Sequence, residues 1–141
     1  MTPEKILYTA EMTTTAGRDG KSNRPDGSFP LTLTVPKGLG GPGGDGTNPE
    51  ELFAAGYSAC FIGALKVVGR QAKVKIPDDV QVTARIGVGQ IEGGYALTAE
   101  LVVALPDLDR DTAIKLVEEA HAVCPYSNAT RGNIDVKLTV A

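Results

Sequence analysis

Cysteine is the residue type in this chain best equipped for chemistry, and there are two of them, Cys60 and Cys124. A thiolate is a nucleophile, a metal ligand and a redox centre, whereas a buried neutral thiol is a small, inert hydrophobe. Cys60 lies within T-N-P-E-E-L-F-A-A-G-Y-S-A-C-F-I-G-A-L-K, residues 47–66, about ten residues past the start of that stretch. The positive field of a helix N-terminus fades within the first turn, so a helix dipole would not activate this thiol. Cys60 is therefore either core packing or a nucleophile served by a cation from elsewhere. Cys124 follows His121 at i and i+3, which is half a metal site. Even with Cys60 that set lacks a fourth ligand and a close-spaced cysteine pair, so the reading is no metal. His121 then reads as an ordinary helix residue, and Tyr57 and Tyr126 as packing or as the lining of a pocket.

The elements that must position these residues follow from local signals. Asn48, Pro49, Glu50 and Glu51 start a helix as N-cap, first position and acidic first turn. From Leu52 to Leu65 no side chain is charged, with Gly56, Ala59, Cys60 and Gly63 as small residues close to one face. A helix apolar all round is a buried one, and this uncharged run is too short to span a bilayer. The expectation is a central core helix reaching about Gly69.

Before it, Ile6–Thr15 and Phe29–Val35 alternate at strand period and predict a hairpin around the polar loop G-R-D-G-K-S-N-R-P-D-G-S. The glycine-rich run 36–47 lacks the residues of a phosphate loop and reads as a tight connection lying close to other backbone. After Pro77, the runs Val80–Val88 and Tyr95–Val103 predict a second hairpin with a turn near Gly93-Gly94. Asp109 caps a second helix whose inward face carries Ala113, Leu116, Val117, Ala120 and Cys124. Pro125 bars further helix and pushes Cys124 out of helical geometry. Ile134–Val140 forms a last strand. The order β-β-α-β-β-α-β predicts a single α+β domain, 1–141, with antiparallel hairpins and two helices on them.

The totals narrow the class. A net charge of −3, a pI near 5.1 and no basic cluster argue against nucleic acid as a partner. No apolar run of signal-peptide type follows Met1, so a cytoplasmic location is expected, where two cysteines read as catalytic or redox-active rather than as a staple. Both fall on inward faces, a geometry that permits disulfide reach without proving it. A pair so poised would act as a peroxidatic and a resolving thiol.

The stretch around Cys60, the G-R-D-G loop and V-C-P-Y-S-N-A-T-R-G-N-I-D-V near the end together resemble the organic hydroperoxide resistance branch of the Ohr/OsmC family. The resemblance covers nearly the whole chain and implies an intertwined α+β homodimer of OsmC-like fold. It further implies a thiol peroxidase for organic hydroperoxides, with Cys60 peroxidatic, Cys124 resolving, and Arg18 and Glu50 completing the site. No bound cofactor is implied; the electron donor would be dihydrolipoamide or a lipoylated protein. Arginine suits that role because it stays charged when buried and pairs bidentately with a carboxylate. The residues alone do not choose Arg18 over Arg24, Arg70, Arg85 or Arg131. Two other readings stand beside this one: an OsmC-like peroxidase of broader range, and a non-catalytic dimer that binds apolar ligands.

Overall fold

A computed structural model describes all residues, Met1–Ala141, in two compact units, Met1–Pro49 and Glu50–Ala141. In the first unit, β1 (Thr13–Thr15), β2 (Lys21–Asn23) and β3 (Leu31–Thr32) form an antiparallel sheet in that order. This corrects the expected hairpin. Ile6–Met12 lies outside any strand, with Leu7 89% and Tyr8 82% exposed. The predicted loop itself contributes β2, because Gly17 and Gly20 bend the chain back on Thr15. Ala16 and Gly17 both take positive φ, 64° and 85°, and a Cβ on Gly20 would collide with the Thr15 carbonyl. A 3-10 turn, Gly17–Asp19, results and carries Arg18. The glycine-rich run lies against neighbouring backbone as expected: a Cβ on Gly41 would strike Val35, and one on Gly46 would come within 2.8 Å of the Thr32 carbonyl.

The second unit holds the core. Helix α1 spans Pro49–Gln71, with Pro49 at its first position and Glu50 and Glu51 in the first turn. Strands β4 (Gln81–Ile91) and β5 (Gly94–Ala104) make the predicted hairpin, paired from Gln81↔Ala104 to Ile91↔Gly94. Asp109 caps α2 (Arg110–Val123), accepting from the Thr112 N–H at 3.0 Å. Pro125 ends α2 and also opens α3 (Pro125–Thr130), which the sequence reading did not anticipate. Proline is as suitable at a first helical position as it is unsuitable inside a helix. Strand β6 (Val136–Val140) then returns parallel to β5, a crossover that two intervening helices make possible.

Alternation along β5 buries Ala99, Leu101 and Val103 on one face. Glu100 on the other meets Arg85 of β4 at 3.2 Å and Lys137 of β6 at 3.5 Å. Leu116, Val117 and Ala120 of α2 join Phe61, Leu65 and Val68 of α1 in the same core. Helix α1 is not buried all round. Tyr57, Phe61, Ala64, Leu65, Val68 and Gly69 are buried, but Leu52 is 40% and Val67 38% exposed. Its 23 residues are long and apolar enough to cross a membrane by length and composition alone. Its buried face nonetheless packs into a polypeptide core. One unit covers one side of the helix, and an apolar strip is left over.

The small residues of α1 differ in purpose. A Cβ on Gly56 would lie 2.5 Å from Tyr126 Oη and 3.0 Å from Cζ, whereas one on Gly63 would meet nothing within 4 Å. The Tyr126 ring is stacked on Tyr57 at 5.5 Å and edge-on to Phe53 at 5.7 Å, so it has little room to yield. Gly56→Ala is expected to destabilise the chain in urea unfolding. The roughly 1 kcal/mol gained in helix propensity is outweighed by an overpacking cost of about 1–3 kcal/mol. A more stable Gly56→Ala variant would show that the aromatic cluster is loose.

Candidate active site

Helix geometry brings the two cysteines together. Cys60 is on the fourth turn of α1, half-buried, and Cys124 is fully buried at the corner between α2 and α3. Pro125 explains the corner, since the residue before a proline is driven out of the α region. Cys124 has φ −64° and ψ 125°, its N–H bonds to the Ala120 carbonyl at 2.8 Å, and its carbonyl accepts from Asn128 N at 2.9 Å. Both thiols are free, and the Cys124 side chain is within hydrogen-bonding reach of the Cys60 sulfur.

The electrostatics of Cys60 come chiefly from burial, which pushes its thiol up; Cys124 pushes the same way. The Tyr126 N–H, from the first turn of α3, donates to the sulfur and opposes them. An amide donor stabilises a thiolate, but here it is outweighed. Cys60 therefore needs a cation if it is to be a thiolate at neutral pH.

The other expected site residues stand as follows. Glu50 lies in the first turn of α1 and Cys60 ten positions later on the same continuous helix, which separates them by roughly 15 Å along the axis. Arg18 is on the 3-10 turn of the first unit, at an exposed position. Three of the arginines that compete with it in the sequence are engaged elsewhere. Arg24 lies over the Phe29 ring at 5.0 Å, Arg85 is bound to Glu100, and Arg131 donates to Asn128 Oδ1 and the His121 carbonyl.

His121 is not part of any group of three potential metal ligands. Its Nδ1 is 2.8 Å from Ser127 Oγ, which is in turn 2.9 Å from Tyr57 Oη. Tyr57 also reaches Thr130 Oγ1 at 3.3 Å. The sequence reading missed Ser127 and Thr130. The available signal was two small hydroxyl residues three apart after a proline, which is one face of a short helix. Tyr57 and Tyr126, read as packing or pocket lining, are mutually stacked, and Tyr57 is wholly buried.

Comparison with known proteins gives a consistent picture. A protein-family model described as OsmC-like protein matches residues 41–139. An organic hydroperoxide resistance protein of Xanthomonas axonopodis pv. citri is 55% identical over 139 residues, covering 99% of this chain and 98% of its own. The crystal structure of an organic hydroperoxide resistance protein from Legionella pneumophila superposes with a TM-score of 0.90 at 44% identity, covering 97% of this chain and 99% of that one. A Vibrio cholerae protein solved with captopril in one of its active sites gives 0.91 at 44%, covering 99% and 95%.

Burial and the nearby Arg131 both lower the pKa of His121, the protein's one histidine. The folded state thus resists protonating it. Its contribution to stability is complete above the value of an unfolded-chain histidine, about 6.5, and is lost as pH falls through the lower folded value. Proton NMR is expected to find a His121 midpoint below that reference. Urea midpoints should fall between pH 7.5 and pH 5, with the slope reduced in His121→Asn. A midpoint at or above the reference would contradict the burial of this ring.

Proposed function

The chain belongs to the OsmC-like family, among its organic hydroperoxide resistance proteins, and on that premise we propose that it is a thiol peroxidase reducing organic hydroperoxides to alcohols. The observation that carries the proposal is the meeting of two free thiols, Cys60 and Cys124, at the α1 and α2–α3 corner. In this reading the Cys60 thiolate attacks the outer peroxide oxygen. An S–O bond forms as the O–O bond breaks, and the leaving alkoxide takes up a proton as the alcohol. The Cys124 sulfur then attacks the Cys60 sulfenic acid, the S–O bond breaks, and water leaves with the thiol proton. A dithiol such as dihydrolipoamide, free or on a lipoylated protein, returns both thiols by exchange.

Arg18 would supply the cation that the burial of Cys60 calls for and would stabilise charge on the leaving oxygen. Glu50 would orient the guanidinium through a bidentate pair. Because Glu50 and Cys60 lie about 15 Å apart along one helix, a site using both is simplest when two chains share it. A homodimer would also cover the exposed strip of α1 that holds Leu52 and Val67. Apolar side chains around Cys60 favour uncharged, greasy peroxides over hydrogen peroxide.

Treating the reduced protein with one equivalent of cumene hydroperoxide should remove two titratable thiols and give a Cys60–Cys124 disulfide by mass spectrometry. Cys60→Ser should abolish turnover. Cys124→Ser should still oxidise Cys60, first to the sulfenic acid and then beyond. An unmodified Cys60 in that variant, or no thiol loss in the wild type, would favour a non-catalytic binder of apolar ligands.

Arg18→Ala is expected to slow peroxide consumption by about 10²–10³, and Arg18→Lys to be poor as well, since lysine lacks the fork. Co-expressed Cys60→Ser and Arg18→Ala chains would contain one intact site per mixed dimer, recovering about a quarter of wild-type activity under random pairing. A purified heterodimer as inactive as either parent would mean that each chain builds its own site.

A further inference from the structure

The corner that presents Cys124 is tied by one buried hydroxyl. Ser127 Oγ, completely buried, bonds Tyr57 Oη on α1 at 2.9 Å and His121 Nδ1 on α2 at 2.8 Å. Tyr57 precedes Cys60 by three residues, on the same side of α1. His121 likewise precedes Cys124 by three. A single side chain on α3 therefore joins the helix that carries one thiol to the helix that delivers the other.

The proton inventory orders this chain. Thr130 Oγ1 donates to the Ser127 carbonyl at 3.1 Å, so in its contact with Tyr57 Oη it accepts. Tyr57 has one proton, which then goes to Thr130, and it accepts the proton of Ser127. With its only proton so used, Ser127 accepts from His121. Every contact is satisfied in one arrangement: His121 Nδ1–H to Ser127, Ser127 to Tyr57, Tyr57 to Thr130, Thr130 to the Ser127 carbonyl. No buried side-chain polar atom is left without a partner. The backbone carbonyl of His121 also accepts from Arg131, which ties the last turn of α2 to the end of α3.

We propose that His121, Ser127 and Tyr57 are positioning residues for disulfide closure, holding Cys124 against Cys60 through a hydrogen-bond chain that begins at His121 Nδ1–H. The proposal rests on the peroxidase reading and adds to it a second function for the buried polar cluster. None of the three touches the peroxide. Their effect falls on the second step, in which the Cys124 sulfur displaces hydroxide from the Cys60 sulfenic acid and water leaves with the thiol proton. A displacement of the order of 1 Å between reacting groups can cost about 10²-fold in rate, so loosening the corner slows closure and leaves peroxide attack unchanged.

The test follows single turnovers of the full-length reduced protein with one equivalent of cumene hydroperoxide, with dimedone present to trap sulfenic acid. Ser127→Ala, Tyr57→Phe and His121→Ala are expected to consume peroxide at the wild-type rate. They should form the disulfide about tenfold or more slower and accumulate a dimedone adduct on Cys60. His121→Asn, which keeps a donor near the Nδ1 position, should restore closure. Nitrogen-15 NMR of the wild type should find the neutral ring protonated at Nδ1. Wild-type closure rates in folded Ser127→Ala and His121→Ala, or a ring protonated at Nε2 only, would overturn the proposal. If Ser127→Ala does not fold, the half-buried His121 pair decides by the same readout. Failure of the wild type to form either adduct or disulfide would instead count against the peroxidase reading, and the NMR result would still judge the hydrogen-bond order.

Discussion

The meeting of Cys60 with Cys124 depends on a backbone corner, and the corner depends on Pro125. A proline at that position removes an N–H that α2 would need and displaces Cys124 into extended geometry. It also starts α3, whose first-turn amides have no helical carbonyls to bond. One of them, on Tyr126, donates to the Cys60 sulfur. The residue that ends one helix thus turns a thiol inward and aims a donor at the other thiol. The rest of the second unit serves to hold α1 at the right distance from this corner, through Phe61, Leu65 and Val68 on one side and Leu116, Val117 and Ala120 on the other.

Holding a half-buried thiol against a buried one carries an electrostatic cost. Burial favours the neutral form, and a second thiol offers little to an anion beyond a weak S–H donor. The Cys60 thiol is accordingly pushed toward its neutral form. The turn of the first unit that carries Arg18 is itself conformationally constrained, with Ala16 in left-handed geometry and glycines at 17 and 20 where side chains fit badly. Backbone held in a sparsely populated region clusters at functional sites.

Helix α1 is partly buried and partly exposed. Two of its polar side chains bond within the chain: Ser58 Oγ donates to the Ala54 carbonyl at 2.8 Å, and Tyr57 joins the Ser127 cluster. Its exposed positions include the apolar Leu52, Ala55, Ala59, Gly63 and Val67, flanked by the charged Glu51, Lys66 and Arg70. In the proposed reading, a site shared between two chains answers both the exposed strip and the distance from Glu50 to Cys60.

Features with local causes were legible in the sequence. Proline and glutamates after Asn48 marked the start of α1; period-two alternation marked β4 and β5; Asp109 marked the cap of α2; and helical spacing put Cys124 on an inward face. Each signal acts within a few residues, so no knowledge of distant contacts was required. The misreadings share the opposite cause. Ile6–Met12 alternates like a strand, but strand formation needs a partner edge, and pairing goes to β2 within the predicted loop. Pro125 has two local meanings, stop and start, and only the packing of α3 chooses between them. An apolar helix reads as buried on all sides, yet one unit has covering layers for one side. The contact between the thiols and the four-residue hydroxyl and imidazole chain are tertiary in the strict sense. Residues up to 73 positions apart meet there, as Tyr57 and Thr130 do, and no periodicity encodes which hydroxyl will face which ring.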